Sequence, residues 1–381
     1  MTIGVDIRLL SRARSSGIEE YTKNVLAHMI PLAGNVKFKL FYSGMKDTLV
    51  RYPWMEAGNV ELFYKRVPNK ILSAASRFMG QPHLDKLMKG VDVFFSPHFY
   101  ITALSPECKR VVTFHDLSFL HHPQFFSFDR NMWNTLQMNP RGQAHSADKI
   151  IAISNSTAQD LVNEYGISSE KIKVIYSGVL DKFKKIDSEE VMTKVREKYN
   201  LPKKFIFYLG TIEPRKNICS IIDAFEILKR DFGFEDHYLV IAGAKGWLYK
   251  DIFKKMEKGQ FAKFIKYIEF VEDNDRPAMY NAAELLVYPS FFEGFGFQPL
   301  EAMACGTPVV SSNVSSIPEV VHDAALLIDP YNVRELYSAI REVLTNESFR
   351  KDLIWKGNNR VRNFSWQKTA HETLEALFSV K

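Results

Sequence analysis

The sequence predicts an α/β protein made of two doubly wound domains. Three observations carry that expectation. The chain has 381 residues, and at roughly 100–200 residues per domain this exceeds what one core usually serves. Short apolar runs rich in Val, Ile and Phe alternate with helix-like stretches, the pattern of parallel strands covered on both faces. The rhythm also occurs twice, with a polar, charged interval between the two series.

The first series opens with Ile3–Ile7, then a polar loop and a helix from about Gly17 to Met29. Strands are expected at Phe38–Tyr42, Val60–Phe63, Val91–Ser96, Val111–Phe114, Lys149–Ser154 and Lys173–Ile175. The second series gives strands at Phe205–Leu209, Tyr238–Ala242, Ile268–Val271, Leu285–Tyr288, Pro308–Ser311 and Ala325–Ile328. The seam falls between Gly178 and Pro202, with a short helix expected over Ser188–Tyr199. This places one domain at residues 1–178 and the other at 200–365. Trp366–Phe378 is amphipathic, with Ala370, Leu374 and Leu377 on one face, so the C-terminal helix, 366–381, is expected to pack back on the first domain.

Composition narrows the class. Hydrophobic residues make up 46% and charged residues 25%, which excludes a disordered chain. Cys108, Cys219 and Cys305 are scattered with no C-x-x-C pair, so neither a disulfide framework nor a structural zinc site is expected. No apolar stretch is long enough to span a bilayer, and Asp6 and Arg8 interrupt any signal-peptide core. A cytoplasmic protein is the expectation. Residues 1–180 hold 21 Lys/Arg against 15 Asp/Glu, and residues 181–381 hold 29 against 29, so the whole net charge of +6 sits in the first half. A basic half suits an anionic membrane, nucleic acid or a phosphorylated substrate. No basic–aromatic module supports nucleic acid.

Five stretches end at expected strand termini, where ligands collect in open α/β folds. The densest is Tyr288–Val310. Its turn Glu293-Gly294-Phe295-Gly296 leads into a helix near Pro299, which carries Glu301. Backbone N–H groups there can face an anion, and the two glutamates can accept from vicinal hydroxyls. The competing reading is a surface loop with two solvated glutamates. Gly210–Asn217, reading GTIEPRKN, places Arg215 and Lys216 at a helix entry. Cations are disfavoured there unless an anion neutralises them, and a forked donor beside a point charge suits a diphosphate. His115 and Asp116 interrupt an apolar strand. Ser16-Gly17 opens the first helix, without the G-x-G-x-x-G pattern of a dinucleotide site. Gly243–Trp247 forms a further turn.

Taken together, GTIEPRKN, AGAKGW and the Asp273–Val310 stretch resemble glycosyltransferase family 4, most strongly over Phe205–Asp329. That resemblance implies the retaining GT-B fold: two Rossmann-like domains facing a central cleft, with donor on the second and acceptor on the first. It implies that Glu301 holds the nucleotide ribose and Glu293 the donor sugar. Gly294, Phe295 and Gly296 would approach sugar and distal phosphate, and Arg215 and Lys216 would clamp the diphosphate. Gly210 and Gly243 would line the donor site, and Val271 lies where the family's base-contacting segment runs. His115 would sit beside the reacting sugar, and Gly17 would close on donor phosphate and acceptor, with Ser16 and Asp116 on the acceptor side. Thr211, Ser16 and Arg276 depart from the family's common residues.

The resemblance further implies a nucleotide-sugar donor, GDP-mannose by the form of GTIEPRKN, and no cofactor. Asp273-Asn274-Asp275 looks like a D-x-D metal motif, but its place matches the base-site loop, so no metal is expected. The acceptor would be a saccharide, on a polyprenyl diphosphate, in bacterial O-antigen synthesis. A UDP-sugar transferase, a sugar-nucleotide epimerase, a non-catalytic nucleotide-sugar binder and a glycoside hydrolase are the alternatives. The hydrolase has no use for an Arg-Lys clamp. Finally, Ile71, Leu72, Ala75, Phe78 and Met79 fall at helical spacing among Lys70, Arg77, Lys86 and Lys89. They suit either a core-facing helix or a peripheral contact with anionic lipid on the inner face of the membrane.

Overall fold

A computed structural model describes residues 1–11, 17–133, 135 and 138–381. The chain divides into two compact units. The first comprises Met1–Leu117, Asp129–Gly178 and Ser365–Lys381, and the second comprises Ser118–Phe128 and Val179–Phe364.

The first unit contains β1 (Thr2–Asp6), β2 (Lys37–Ser43), β3 (Val60–Lys65), β4 (Val93–Ser96), β5 (Lys109–Phe114), β6 (Lys149–Ala152) and β7 (Ile172–Val174). They form one sheet in the order β3-β2-β1-β4-β5-β6-β7, parallel throughout. The second contains β8 (Lys204–Leu209), β9 (His237–Ala242), β10 (Ile265–Ile268), β11 (Leu285–Tyr288), β12 (Val309–Ser312) and β13 (Leu326–Ile328). Their order is β10-β9-β8-β11-β12-β13, again all parallel. Central strands such as β4, β8 and β11 bury both faces, which is why they read as unbroken apolar runs. In each sheet the winding reverses once, between β1 and β4 and between β8 and β11. In open α/β sheets, ligands bind outside the carboxyl ends of the strands at such a reversal.

Capping chemistry sets where helices begin. Ser154 accepts from the Thr157 amide at 3.1 Å and starts helix Asn155–Tyr165, which Gly166 ends in the left-handed region. Helix Trp366–Phe378 starts in the same way, with Ser365 accepting from Lys368 N. It buries Trp366, Ala370, Leu374 and Leu377, lies against helix Gly17–Leu32, and is tied down by Thr369 Oγ1 donating to Tyr176 O at 2.7 Å.

Three expectations are displaced. The tenth strand runs over Ile265–Ile268, not Ile268–Val271. It is an edge strand pairing only with β9, Ile265 opposite Leu239, so one side stays half-exposed and its sequence lacks the apolar run that marked the others. Residues 179–199, where the sequence predicts a seam, belong to the second unit, where helix Glu189–Lys198 packs on helix Arg276–Ala282. Ser118–Phe128, read as part of the first domain, also belongs to the second unit. Aromatic stacking holds it there: His121 on Phe292 at 5.4 Å, Phe125 on Phe291 at 4.9 Å and Phe126 on Trp247 at 5.4 Å.

Candidate active site

The second unit assembles a buried ionic cluster where β8 and β11 diverge. After β8 the chain turns through Gly210–Glu213 into the short turn Pro214–Lys216. After β11 it runs through Pro289 to Glu293. Lys216 Nζ donates to Glu293 Oε1 at 2.6 Å and to the Tyr288 hydroxyl at 2.8 Å. Arg215 Nη1 donates to Glu293 Oε2 at 3.2 Å and to the Phe292 carbonyl at 2.6 Å. Its Nε and Nη2 both reach Glu213 Oε1, at 3.1 and 2.8 Å. Tyr288 in turn lies 3.1 Å from Gln298 Oε1. Asn217 locks the corner by donating to the carbonyls of Pro289 and Pro330.

Electrostatics follow from this packing. Burial pushes the Glu293 carboxyl up, but Lys216 and Arg215 outweigh it and bring the group down to about 2. Glu293 is therefore a carboxylate at every physiological pH and cannot serve as an acid. Burial lowers Lys216 and raises Glu213. Two cations are thus held between two carboxylates, in fixed orientation, at the mouth of the sheet.

Glu301 has different partners. It lies on helix Phe297–Ala304, buried, and Arg276 Nη2 grips both its oxygens while the Tyr280 hydroxyl donates to Oε2 at 2.7 Å. Arg276 also reaches Asp273 at 3.2 Å and lies 5.3 Å from the Phe183 ring. The helix begins at Phe297, two residues before Pro299, because Gly296 takes φ +102° as its N-cap. A Cβ there would meet Ile317 Cδ1 at 2.7 Å. Gly294 and Phe295 are buried before it, and Ser316 Oγ donates to the carbonyls of Glu293 and Phe295. Gly210 and Gly243 pack directly on each other: a Cβ on Gly243, φ +141°, would lie 1.9 Å from the Gly210 carbonyl oxygen. Val271 is buried in the loop after β10.

In the first unit, His115 follows β5. Its Nε2 lies 2.7 Å from the Pro97 carbonyl, so Nε2 carries the proton and Nδ1 is the acceptor. Burial lowers the ring to about 4, which makes it a neutral imidazole at pH 7. Tyr21 meets it edge-on at 4.9 Å, and Asp116 beside it is half-buried. Gly17 is the first residue of helix Gly17–Leu32, whose first turn carries Glu19 and Glu20. Ser16 lies outside the described residues.

The structure thus brings Arg215, Lys216 and Glu293 into one cluster and places Glu301 in a second. Sequence reasoning missed Glu213, Tyr288, Gln298, Tyr280 and the role of Arg276. A signal for Arg276 existed: it is a cation at a helix start, the same anomaly that singled out Arg215 and Lys216. Among the described residues no group of three or more His, Cys, Asp or Glu side chains is arranged to hold a metal ion.

Residues 16–181 match the family described as Glycosyltransferase Family 4, and residues 191–360 match Glycosyl transferases group 1. The chain is 32% identical over 285 residues to the O-antigen chain mannosyltransferase B of Escherichia coli, covering 74% of this chain and 73% of that one. It is 34% identical over 271 residues to the serotype-specific mannosyltransferase WbdA of Escherichia coli, covering 71% of this chain but 33% of the relative. Among solved structures, Anabaena Alr3699/HepE in complex with UDP and glucose superposes with a TM-score of 0.73 at 18% identity, covering 100% of both chains. The shared fold is GT-B.

Proposed function

Because the chain belongs to the glycosyltransferases, family 4 in its first half and group 1 in its second, we propose that it transfers mannose from GDP-mannose, with retention of configuration. The acceptor is a lipid-linked saccharide in bacterial O-antigen synthesis, at the inner face of the cytoplasmic membrane. The observation that carries the donor reading is the Arg215–Glu293–Lys216 cluster at the divergence of β8 and β11. The Escherichia coli relatives, an O-antigen chain mannosyltransferase and a serotype-specific mannosyltransferase, support mannose and O-antigen.

Breaking the bond between the anomeric carbon and the diphosphate leaves negative charge on phosphate oxygens. Arg215, Lys216 and the start of helix Phe297–Ala304 stabilise that charge, which is worth most in a water-poor site. These cations act in place of a metal. Glu293, ionised, holds both cations and accepts from a hydroxyl of the donor sugar. Glu301 accepts from the ribose hydroxyls, sharing its carboxylate with Arg276 and Tyr280. Gly210, Gly243 and Val271 line the nucleotide side. In the first unit, His115, neutral, offers Nδ1 as a hydrogen-bond acceptor, and Gly17 and Asp116 serve the saccharide acceptor. The acceptor oxygen attacks on the face the leaving group departs from, and the leaving phosphate takes the acceptor's proton.

The test is a panel of sugar nucleotides, with and without a polyprenyl-diphosphate-linked saccharide, read by release of nucleoside diphosphate. Acceptor-dependent release from GDP-mannose, undiminished by EDTA, is the expected result. Release favouring a UDP-sugar would move the donor. Turnover of donor without any acceptor would favour an epimerase, and activity restored only by added Mg²⁺ would remove the metal-free reading.

A further inference from the structure

Helix Asn69–Phe78 carries two apolar stripes, and only one is used inside the protein. Leu72 enters a core cluster with Phe41, Leu84, Met88 and Phe94, and Ser76, one turn on, is buried on the same side. The other stripe runs through Ile71, Ala74 and Phe78, at the three- and four-residue spacing of one helix face, and ends at Met79. Ile71 is 60% exposed, Phe78 80% and Met79 74%. The sequence left open whether these residues form a core-facing helix; burial answers that Leu72 alone among the large ones does.

The rim of the outer stripe is basic. Lys65, Arg66, Lys70 and Arg77 are all exposed, and Lys86 and Lys89 follow. The one acidic residue between Lys65 and Lys89 is Asp85, which is buried and occupied by the Ser105 amide and hydroxyl. The Arg77 guanidinium carbon lies over the Phe78 ring, 5.7 Å from its centroid, so cation and apolar tip sit together. Large apolar side chains this exposed and contiguous mark an interaction surface. Lys86 pairs with Glu107 at 3.5 Å; the other exposed cations around the stripe, Lys65, Arg66, Lys70 and Arg77, select an anionic partner. A bilayer interface meets both demands at once, taking Phe, Met and Ile into the acyl boundary while lipid phosphates accept from Lys and Arg.

We propose that Ile71, Phe78 and Met79, ringed by Lys65, Arg66, Lys70 and Arg77, form the surface by which this chain docks on an anionic lipid bilayer. The inference deepens the lipid-linked acceptor reading by assigning the protein's own contact with the membrane that carries it. No helix among the described residues is long and apolar enough to cross a membrane, so the contact is peripheral.

The experiment is co-sedimentation of the full chain with phosphatidylcholine vesicles, with and without phosphatidylglycerol, at low and high salt. Wild-type protein binds only vesicles containing phosphatidylglycerol and is released by salt, because screening shortens the reach of the charges. The double variant F78S/M79S loses roughly tenfold or more in affinity even at low salt. The quadruple variant K65S/R66S/K70S/R77S weakens binding by roughly fivefold per residue. Both variants keep the wild-type melting temperature, because Leu72 still anchors the helix. Both also keep the wild-type rate on a soluble, lipid-free acceptor, which separates failure of docking from failure of the transferase reading. Absence of wild-type binding to phosphatidylglycerol vesicles at low salt overturns the proposal. So does F78S/M79S binding as tightly as wild type, which would leave only the diffuse charge of the basic half.

Discussion

Glu293 is the residue on which the proposed donor site turns, because its single carboxylate fixes two cations. Replacing it with Ala leaves Lys216 and Arg215 nearly buried without that counter-charge. Breaking one partner of such a pair costs about 3–5 kcal/mol, so Glu293→Ala should shift the urea midpoint markedly. It should also lower turnover by roughly 100- to 1000-fold, the loss typical of a misplaced electrostatic donor. Glu293→Gln should fall between wild type and Ala in both measurements, since it keeps an acceptor for Lys216 but not the charge. A Glu293→Ala protein with wild-type turnover would dismiss the cluster from catalysis.

His115 makes a pH prediction at the same scale. Its folded value, about 4, lies below the ordinary 6.5, so the unfolded chain takes up the proton first. The stability contribution is complete above pH 6.5 and is lost as pH falls from there through 4, by about 3 kcal/mol in all. His115→Gln should remove that part of the slope, seen as a smaller difference between urea midpoints at pH 7 and pH 4.5 than in wild type. Equal slopes would mean that the imidazole is not held neutral. Arg276 shows why some of this scale was illegible in sequence. In the sequence it stands out as a departure from the family's common residue. Only the folded chain reveals that it grips Glu301, from a helix start 25 residues away in sequence.

At the level of elements, the loops that leave β8 and β9 depend on contact between Gly210 and Gly243. A methyl on Gly243 would lie 1.9 Å from the Gly210 carbonyl, at φ +141°, so both steric and torsional terms oppose it. Gly243→Ala should separate the two loops, lowering the melting temperature by several degrees and weakening nucleoside diphosphate binding together with it. Retained binding at wild-type affinity would show that the loops tolerate the shift. Strands were the most legible elements, since those buried on both faces announce themselves as unbroken Val, Ile and Phe runs. The exception, β10, is an edge strand where Lys266 and Tyr267 interrupt the apolar pattern, and the apolar-run criterion slid three residues too far. The Ser118–Phe128 excursion was illegible for another reason. Its allegiance comes from aromatic partners at Trp247, Phe291 and Phe292, more than a hundred residues downstream, and no local periodicity encodes that.

For the whole molecule, the C-terminal helix is part of the first unit although the second unit precedes it in sequence. Trp366, Leu374 and Leu377 are buried there. At about 1.5–3 kcal/mol for each large side chain, their removal costs roughly 5–9 kcal/mol, comparable with the roughly 5–15 kcal/mol that stabilises a typical domain. A chain ending at Phe364 should therefore lose hydrogen-exchange protection in helix Gly17–Leu32 and in β6, while β8 and β11 stay protected. Uniform loss in both units, or none in the first, would contradict this division. The two-domain order was readable from the doubled rhythm of strands, and the return of the last helix from the spacing of Ala370, Leu374 and Leu377. The proposed acceptor role of the first unit was least readable, since its cues were single residues such as Gly17 and His115 rather than a contiguous motif.

On the proposed reading, the second unit holds a nucleoside diphosphate through Arg215, Lys216 and Glu301 without a metal. The decisive measurement is calorimetric titration of GDP into the protein in EDTA, run beside UDP and beside the Arg215→Ala, Lys216→Ala and Glu301→Ala variants. The predicted result is one GDP per chain, bound more tightly than UDP and weakened roughly tenfold or more in each variant, as loss of one charge-assisted hydrogen bond implies. No binding of either nucleotide until Mg²⁺ is added, or wild-type GDP affinity in all three variants, would contradict it.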